Sequence, residues 1–569
     1  MVNQSIFDDD SDLSSALSQI DCFPDDANMD RRRDATDRIC AIVEKWMLDE
    51  SFTSCMAKDC HVKHSGRVES FGSFRLNNYT MQSDIDLVCL APFCFQQTQF
   101  FYSLYSVLSK NESITDLYKV PHATVPIIKM NVSGFHIDLL FVRLLRETIT
   151  IDDDLSRSAI LRDADNHCVR SLSGYCTTQS IADVVGDSKV FKLASQAIKM
   201  WARKRCIYSA SLGFGGGVTW TLLLARIYSK NKHTTASGLI VEFFKEYAQF
   251  NWTKTIHMIE TDNPQTAWSS PQFGLLMNVS TPCEPYQNTT RNVGPASMRI
   301  IKSEIVRGRN ITNNVLHGTT NWETLFSVSF FEDYRRFVCI FAHTRISAAH
   351  ERMCGLTESK LNAFAMSLLH QVEGYHMNTN RYKQRIPPRV EFPHVETTMW
   401  VIGYTPRHNN RKLRDIQTNL NVVYFDAIKE MAENSGHIDF QLVTGDSIYQ
   451  YAPDERSPLR SDYGQLAVTE QGFTVDKDTR IPALVEERID ETGEEEHEEI
   501  VGSIQELEEE TDQAVEEVVV AVKVAEIPTT SRNDQGRLNK IKSSLCSFTI
   551  ESDESDEEYF RNKSVPRLQ

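Results

Sequence analysis

Apolar and polar positions follow two different periodicities in the first quarter of the chain. After Arg31, apolar side chains recur every three to four residues, which predicts a helix. Between about 71 and 145, short runs typical of strands dominate, with a helical stretch near 97–109. These runs are DIDLVCLAP, VPIIKM and FHIDLLFVRL. The pattern predicts a mixed α/β unit preceded by a helix.

The pattern becomes mainly helical from about 170 to 330. Apolar residues stand at helical spacing in FKLASQAIKMWARKR, GGVTWTLLLARIY and ASGLIVEFFKEYAQF. Strand, helix, strand and helix patterns then follow in YRRFVCIFAH, GLTESKLNAFAMSLLHQVEGY, TTMWVIGYTP and LNVVYFDAIKEMAE. We therefore expect a helical domain and then a small α+β domain that ends near 460. Trp201, Trp220 and Trp400 lie in apolar patterns and are expected in the core.

The charge of the chain is concentrated at one end. The formal net charge is -18, but residues 461–569 alone hold 28 acidic and 11 basic residues. The preceding 460 residues are therefore nearly neutral and could carry a local basic channel for a nucleic acid. The composition of the tail predicts disorder, although apolar residues between 500 and 522 could instead line a partner-binding helix.

The start of the chain and its cysteines indicate a compartment. MVNQSIFDDDSDLSS has acids where a signal peptide needs a basic region and an apolar stretch, and no run approaches the roughly 18 apolar residues of a membrane span. Thirteen scattered cysteines, an odd number, are typical of reduced thiols. We expect an intracellular protein with no membrane partner.

Two acidic residues in FGSFRLNNYTMQSDIDLVCLAP, at 71–92, suggest chemistry. Strand periodicity puts Asp84 and Asp86 on one face, about 7 Å apart, while the apolar residues between and after them point into the core. Carboxylates held this way suit a pair of hard divalent cations, which serve phosphoryl transfer.

An Asp-x-Asp pair alone is most often a solvated strand face, but two neighbours strengthen the prediction. Gly72 permits close backbone approach to a phosphate, and Ser73 offers donors at a predicted helix start. In a second strand, Asp138 lies within the apolar run FHIDLLF, where an unpaired charge is expensive. The alternative role for Asp138 is a salt bridge to an arginine such as Arg143.

With these residues in place, the sequence resembles the eukaryotic nuclear-type poly(A) polymerases, members of the DNA polymerase β-like nucleotidyltransferase superfamily. The similar motifs stand in the family's order across about 30–460: the segment at 71–92, VPIIKM, GFHIDLLF, VRSLSGY, AIKMWARKRCIYS, LGFGGGVTWTLLLARI and TMWVIG. The resemblance implies an enzyme that adds AMP from ATP, without a template, to RNA 3′ ends.

The resemblance also implies an α+β multidomain fold, with a mixed-sheet palm, a helical middle domain, an RRM-like third domain and a disordered acidic tail. The expected limits are 1–45 for a polar leader and a helix that packs on the middle domain, 46–146 for the catalytic domain, 147–336 for the middle domain, 337–464 for the third domain and 465–569 for the tail.

The family's functional residues carry over by position. Asp84, Asp86 and Asp138 become catalytic metal ligands for two Mg²⁺ or Mn²⁺ ions, and Asp138 is also the candidate to activate the RNA 3′ hydroxyl. The nucleotide-binding positions are Gly72, Ser73, Lys199, Tyr208, Gly216, Gly217 and Val218, of which Lys199 suits a triphosphate. Lys129 is similar in position to a lysine near the primer end and is the RNA-binding candidate.

The chain departs from the family at several positions. Ala210 stands where the family usually has Asn, and Asn77 and Asn78 stand where it tends to have Gly and Val. Only part of the family's framework survives at 280–297. A terminal uridylyltransferase and a catalytically weak RNA-binding scaffold stay open as alternatives. The third domain argues against the first, and the retention of all three acids argues against the second.

The remaining expectations concern partners and location. The resemblance implies ATP and an RNA 3′ end as binding partners, recruitment or 3′-end processing factors acting through the tail, a monomer, and a nuclear location with the cytoplasm as the alternative. The basic runs RRR at 31–33 and RLNKIK at 537–542 are short for an import signal. A zinc site at Cys55, Cys60, His61 and His64 is a weaker alternative, because the spacing matches no finger well.

Overall fold

The computed structural model describes most of the chain before residue 453. The described residues are 9–54, 65–165, 168–231, 233–259, 276–284, 286–384, 396–407, 416, 418–424 and 436–452. The acidic tail and the four candidate zinc ligands lie outside these residues. Within the described ranges, no helix combines the length and the apolar character that a bilayer crossing requires.

The N-terminal part forms a five-stranded sheet with short helical connections. Its elements are α1 (Ser11–Gln19), α2 (Asp26–Ser54), β1 (Arg67–Phe71), α3 (Gly72–Arg75), β2 (Ile85–Ala91), α4 (Gln97–Gln99), a π-helical turn (Phe100–Leu104), α5 (Tyr105–Leu108), β3 (Ile114–Val120), β4 (Ile127–Val132) and β5 (Phe135–Arg143). The strand order is β1-β2-β5-β4-β3. Only β2 and β5 run parallel, so the sheet is mixed.

Strands β1 and β3 are the two strands of the first sheet that the sequence pattern does not predict. Strand β1 carries the buried Glu69, whose charge is balanced by Arg67 and Arg75. Strand β3 is a half-buried edge strand with an irregular register against β4. Polar side chains that are paired or lie on an edge break the apolar alternation by which strands are recognised.

The N-terminal segment divides its contacts between two parts of the protein. Helix α1 buries Leu13 and Leu17 among the middle helices. Helix α2 buries Ile39, Val43 and Trp46 against the first sheet. The limit predicted between residues 45 and 46 falls inside α2, because this helix continues to Ser54 as a cover of the sheet.

The middle part is helical and carries the largest apolar core. Its helices are α6 (Arg157–Asp163), α7 (Val169–Val185), α8 (Lys189–Lys204), α9 (Gly217–Lys230), α10 (Ala236–Ala248), α11 (Pro295–Leu316) and α12 (Phe330–Asp333). At its centre, the rings of Trp201 and Trp220 meet edge to face at 5.3 Å, and both side chains are buried as predicted. This core connects α8 to the start of α9.

A second sheet follows, built from β6 (Arg336–Thr344), α13 (His350–Ser367), β7 (Val372–Met377), β8 (Tyr382–Gln384), β9 (Glu396–Pro406) and β10 (Gly436–Thr444). The strand order is β10-β6-β9-β7, and β8 pairs with β9. Both faces are covered. Val338 and Trp400 lie in the core that includes α13, while Phe330, Phe331 and Tyr449 cover the opposite face. Trp400 is buried as predicted.

Candidate active site

Three carboxylates meet on one face of the first sheet. The parallel register of β2 and β5 places Asp86 beside Asp138, and Asp84 precedes β2 on the same face as Asp86. One carboxylate oxygen from each lies within 4.8 Å of the others. The apolar neighbours in both strands are buried on the other side: Ile85, Leu87, Ile137 and Leu139. Alternation along two paired strands therefore forms the cluster that the sequence predicts.

The electrostatics of the cluster favour a cation. Burial raises the pKa of Asp86 well above its usual range, and the nearby charges of Asp84 and Asp138 raise it further. Burial also raises the pKa of Asp138, while Lys129 opposes that rise. Three hard oxygen donors that repel one another form a donor set that Mg²⁺ or Mn²⁺ fits.

Lys129 is the ion-pair partner of Asp138. The two residues are opposite each other on the antiparallel strands β4 and β5, and Nζ of Lys129 lies 2.5 Å from Oδ2 of Asp138. Arg143, the alternative partner considered from the sequence, instead binds Asp165, to which its Nε donates at 3.1 Å. The structure therefore places the RNA-binding candidate Lys129 directly at the carboxylate cluster.

The backbone of Gly72 approaches the cluster closely. Its φ of +64° lies in the left-handed region, and a Cβ at this position would lie 2.2 Å from Oδ2 of Asp86. Only glycine fits here. Its N–H donates to Oγ1 of Thr178 at 2.8 Å, which connects the turn to α7. Ser73 follows in the first turn of α3.

Lys199 reaches the site from α8 as a buried cation. Its side chain is 3% exposed, and Nζ donates to the backbone oxygen of Asn78 at 3.1 Å and to Oδ1 of the same residue at 3.0 Å. Asn78 is in turn held by Oγ of Ser195, to which its Nδ2 donates at 2.9 Å. Burial lowers the pKa of Lys199 to about 7, Arg203 lowers it further, and the charges of Asp84 and Asp86 oppose the change.

The other predicted nucleotide contacts surround the start of α9. The backbone of Tyr208 forms an isolated β-bridge with Gly215. The hydroxyl of Tyr208 lies 2.5 Å from the position that a Cβ of Gly217 would take. Gly217 therefore lets the tyrosine lie against the helix start. Val218, in the first turn, is 42% exposed, and Gly216 caps the helix without a side chain.

Ala210 lies beside this helix start. A Cβ on Gly216 would be 3.4 Å from the Cβ of Ala210, and the backbone oxygen of Ala210 accepts a hydrogen bond of 2.9 Å from Nδ2 of Asn292. The Ala210 side chain is exposed. A longer side chain at 210 would therefore project toward the open side of the glycine turn.

The sequence pattern does not identify two residues near the site as contributors. Asn78 differs from the family but gives no sign in the sequence that it accepts hydrogen bonds from Lys199. The guanidinium carbon of Arg203 lies 4.5 Å from the centre of the Tyr208 ring. Arg203 stands four residues after Lys199 on α8, so helical periodicity could have placed both on one face.

Two family models match the chain. The model described as the poly(A) polymerase nucleotidyltransferase domain matches residues 7–185, and the model of the poly(A) polymerase central domain matches residues 190–328. Together they cover the first sheet, its flanking helices and the middle helices from α6 to α11. The second sheet lies beyond both matches.

Curated relatives carry the same family name. Poly(A) polymerase pla1 of Schizosaccharomyces pombe is 32% identical over 357 residues, which cover 61% of this chain and 63% of the relative. Nuclear poly(A) polymerase 1 of Arabidopsis thaliana is 30% identical over 370 residues, which cover 63% of this chain and 51% of the relative. The match thus spans less than two thirds of either relative's length.

Solved structures are more distant. One, titled "Structural Basis for the Activity of a Cytoplasmic RNA Terminal U-transferase", is 15% identical with a TM-score of 0.40, and the match covers 57% of this chain and 99% of that one.

Proposed function

Because the chain belongs to the poly(A) polymerase family, we propose that it transfers AMP from ATP to RNA 3′ ends without a template. The observation that carries the proposal is the set of three carboxylate oxygens within 4.8 Å of one another, beside the glycine turn at Gly72. The reaction class is phosphoryl transfer, in which positioning and electrostatic stabilisation supply most of the rate.

Asp84, Asp86 and Asp138 are the residues that would hold two Mg²⁺ or Mn²⁺ ions. Such ions, when bound, neutralise charge on the attacking and leaving oxygens of an in-line displacement. The chain's own contribution is to present the carboxylates on adjacent strands. Asp138 would accept the proton of the RNA 3′ hydroxyl, and Lys129 favours the ionised form of that carboxylate.

The nucleotide would lie between the first sheet and the middle helices. Gly72 and Ser73 would hold its phosphates, because the glycine turn lets the backbone approach. Lys199 has two of its three N–H groups on Asn78, which leaves one for a phosphate oxygen. Tyr208, Gly216, Gly217 and Val218 would contact the base and sugar, as the family resemblance implies.

We propose an RRM-like fold and an RNA-backbone contact for the third domain. The strands of its sheet, numbered along the chain without the short β8, lie in the order fourth, first, third, second, as in an RRM. Phe330 and Tyr449 cover the sheet face on which an RRM stacks bases. Because that face is covered, we expect this domain to contact the sugar-phosphate backbone of the RNA from another surface.

The end of the catalytic domain at 146 and the limits of the middle domain at 147–336 and of the third domain at 337–464 are part of this proposal. So are a monomeric state and recruitment factors that bind the tail. The relative from Arabidopsis thaliana is named a nuclear enzyme, which supports a nuclear location for this chain.

A single extension assay tests the proposed activity. The purified chain is incubated with a short RNA, Mn²⁺ or Mg²⁺, and each of the four NTPs separately. We expect extension with ATP, none with Asp84→Ala or Asp138→Ala, and full activity with Asp187→Ala, whose surface carboxylate is 94% exposed. Preferred use of UTP would point to a uridylyltransferase, and RNA binding without extension would point to a scaffold. Either result would reject the proposal.

A further inference from the structure

The second arginine of the run at 31–33 is buried, whereas its neighbour lies on the surface. Arg32 on α2 is 1% exposed. The Arg33 side chain is 66% exposed, and its Nη1 lies 3.0 Å from a carboxylate oxygen of Asp30. Among the ion pairs of the described residues, none involves Arg32. A buried guanidinium is costly unless other acceptors satisfy it.

The acceptors of Arg32 are backbone oxygens just before Asp84. Nη1 donates to the oxygen of Ser83 at 2.7 Å, and Nη2 donates to the oxygens of Met81 at 2.8 Å and Thr80 at 3.4 Å. Nε donates to Oδ1 of Asn28, one turn earlier on α2, at 3.0 Å. The oxygen of Ser83 belongs to the peptide group that joins Ser83 to Asp84.

The flat face of the same guanidinium touches the second strand of the cluster. Its carbon lies 4.6 Å from the ring centre of Phe135 and 5.2 Å from that of Tyr79. Phe135 begins β5, three residues before Asp138. Cation–π contact of this kind is strongest where water is excluded. Arg32 therefore contacts both chain segments that lead into the carboxylates.

Asp84 needs such support more than the other two carboxylates do. Asp86 and Asp138 are paired in register within the sheet, but the paired residues of β2 and β5 begin at Ile85 and Ile137. Asp84 therefore lies outside the hydrogen-bonded pairing of β2 with β5, at the end of the loop that precedes β2. The pairing of β2 with β5 does not hold this loop. The hydrogen bonds from Arg32 hold it, together with one from the N–H of Met81 to the oxygen of Cys22 and one from Arg203 to Gln82.

We infer that Arg32 is a positioning residue that holds Asp84 in place to bind a metal ion together with Asp86 and Asp138. The inference rests on the proposed function, because it assigns metal binding to the three carboxylates. Three carbonyl oxygens and one amide oxygen around a planar group suit arginine, since five fixed donors reach several acceptors at once. A lysine would keep the charge but reach fewer of these oxygens.

The test compares Arg32→Met, Arg32→Lys and the matched surface control Arg33→Met in the full chain. Mn²⁺ binding is measured without nucleotide, by the loss of the free-ion signal in electron paramagnetic resonance. The Mn²⁺ concentration for half-maximal RNA extension is measured separately. We expect roughly tenfold weaker Mn²⁺ binding for Arg32→Met, a smaller loss for Arg32→Lys and no change for Arg33→Met. Extension by Arg32→Met should recover at high Mn²⁺, which a merely structural defect would not produce.

Circular dichroism and thermal melting establish that each variant is folded. A folded Arg32→Met protein with wild-type Mn²⁺ affinity would overturn the inference, and so would failure of both Arg32 variants to fold, since the residue would then serve only the fold. A wild-type chain that neither binds Mn²⁺ nor extends RNA would instead reject the proposed function, and the inference with it. The wild-type measurement keeps the two failures distinguishable.

Discussion

The ammonium of Lys129 lies 2.5 Å from a carboxylate oxygen of Asp138, across two neighbouring strands of the first sheet. This pair joins the residue predicted to approach the RNA end to the residue predicted to take its proton. Burial raises the pKa of Asp138, and the charge of Lys129 is the strongest influence that opposes the rise. The lysine therefore affects the charge of the carboxylate as well as the position of the RNA.

Replacement of Lys129 by Met should shift the acidic side of the pH–activity profile to higher pH. Without the ammonium, the pKa of Asp138 rises further, so a larger fraction of the carboxylate is protonated in mildly acidic solution. We expect kcat/KM for RNA extension to fall roughly tenfold at pH 6 and less at pH 8. A Lys110→Met protein serves as the control, because Lys110 is an exposed lysine away from the cluster. An equal loss at both pH values would show that Lys129 acts on RNA alone.

Replacement of Asp86 by Asn should stabilise the metal-free protein while it abolishes extension. The pKa of Asp86 is raised by burial and by the charges of Asp84 and Asp138. The folded protein thus holds protons that the unfolded chain releases above about pH 4, and stability falls as the pH rises through the raised pKa values. The amide removes one of the mutually repelling charges.

The gain from Asp86→Asn should be on the order of 1 kcal/mol, or roughly 1–3 °C in melting temperature at pH 7. It should shrink at low pH, where the carboxylate is already protonated. The measurement is a thermal melt in a metal chelator at several pH values. A lower melting temperature at pH 7 would mean that the Asp86 carboxylate contributes a stabilising interaction to the metal-free fold.

The use of ATP should weaken as the pH rises above about 7. The pKa of Lys199 is lowered to about 7 by burial and by Arg203, so the free protein carries a neutral amine above that pH. A triphosphate needs the ammonium, so kcat/KM for ATP should fall by up to about tenfold per pH unit. A Lys199→Arg protein keeps its charge and should show no such fall, even if its affinity is lower. The control Lys192→Arg, at a lysine of the same helix that pairs with Asp187, should keep the wild-type profile. A flat profile in the wild type would mean that Lys199 stays charged.

The sequence predicts the carboxylate cluster well because its cause is local. Alternation along a strand fixes the face of Asp84 and Asp86, and an acid within the apolar run FHIDLLF stands out. The partner of Asp138 could not be predicted in the same way. Lys129 becomes its neighbour only through the register of β4 and β5, which single-strand patterns do not contain.

Burial of polar residues is the second limit of the sequence. Three consecutive arginines at 31–33 are chemically identical, and only the packing of α2 on the first sheet decides that Arg32 is enclosed. Asn78 resembles an ordinary loop residue, yet it is buried because Lys199 and Ser195 satisfy its polar groups. Such residues interrupt the apolar pattern when tertiary contacts satisfy them.

Replacement of Ala210 by Asn tests the departure from the family that lies nearest the nucleotide. The Ala210 side chain is exposed beside the glycine turn, and its backbone is held by Asn292. An added carboxamide would therefore be solvated in the free protein and would carry no penalty for an unpaired buried group. It could donate to the nucleotide and gain about 0.5–1.5 kcal/mol, or roughly two- to tenfold in kcat/KM for ATP. We expect an equal or sharper preference for ATP over UTP. Steady-state kinetics on one RNA primer compare the two proteins, with Ala210→Ser as the shorter polar control. A severalfold drop in ATP use would show that this nucleotide pocket has its own architecture around alanine.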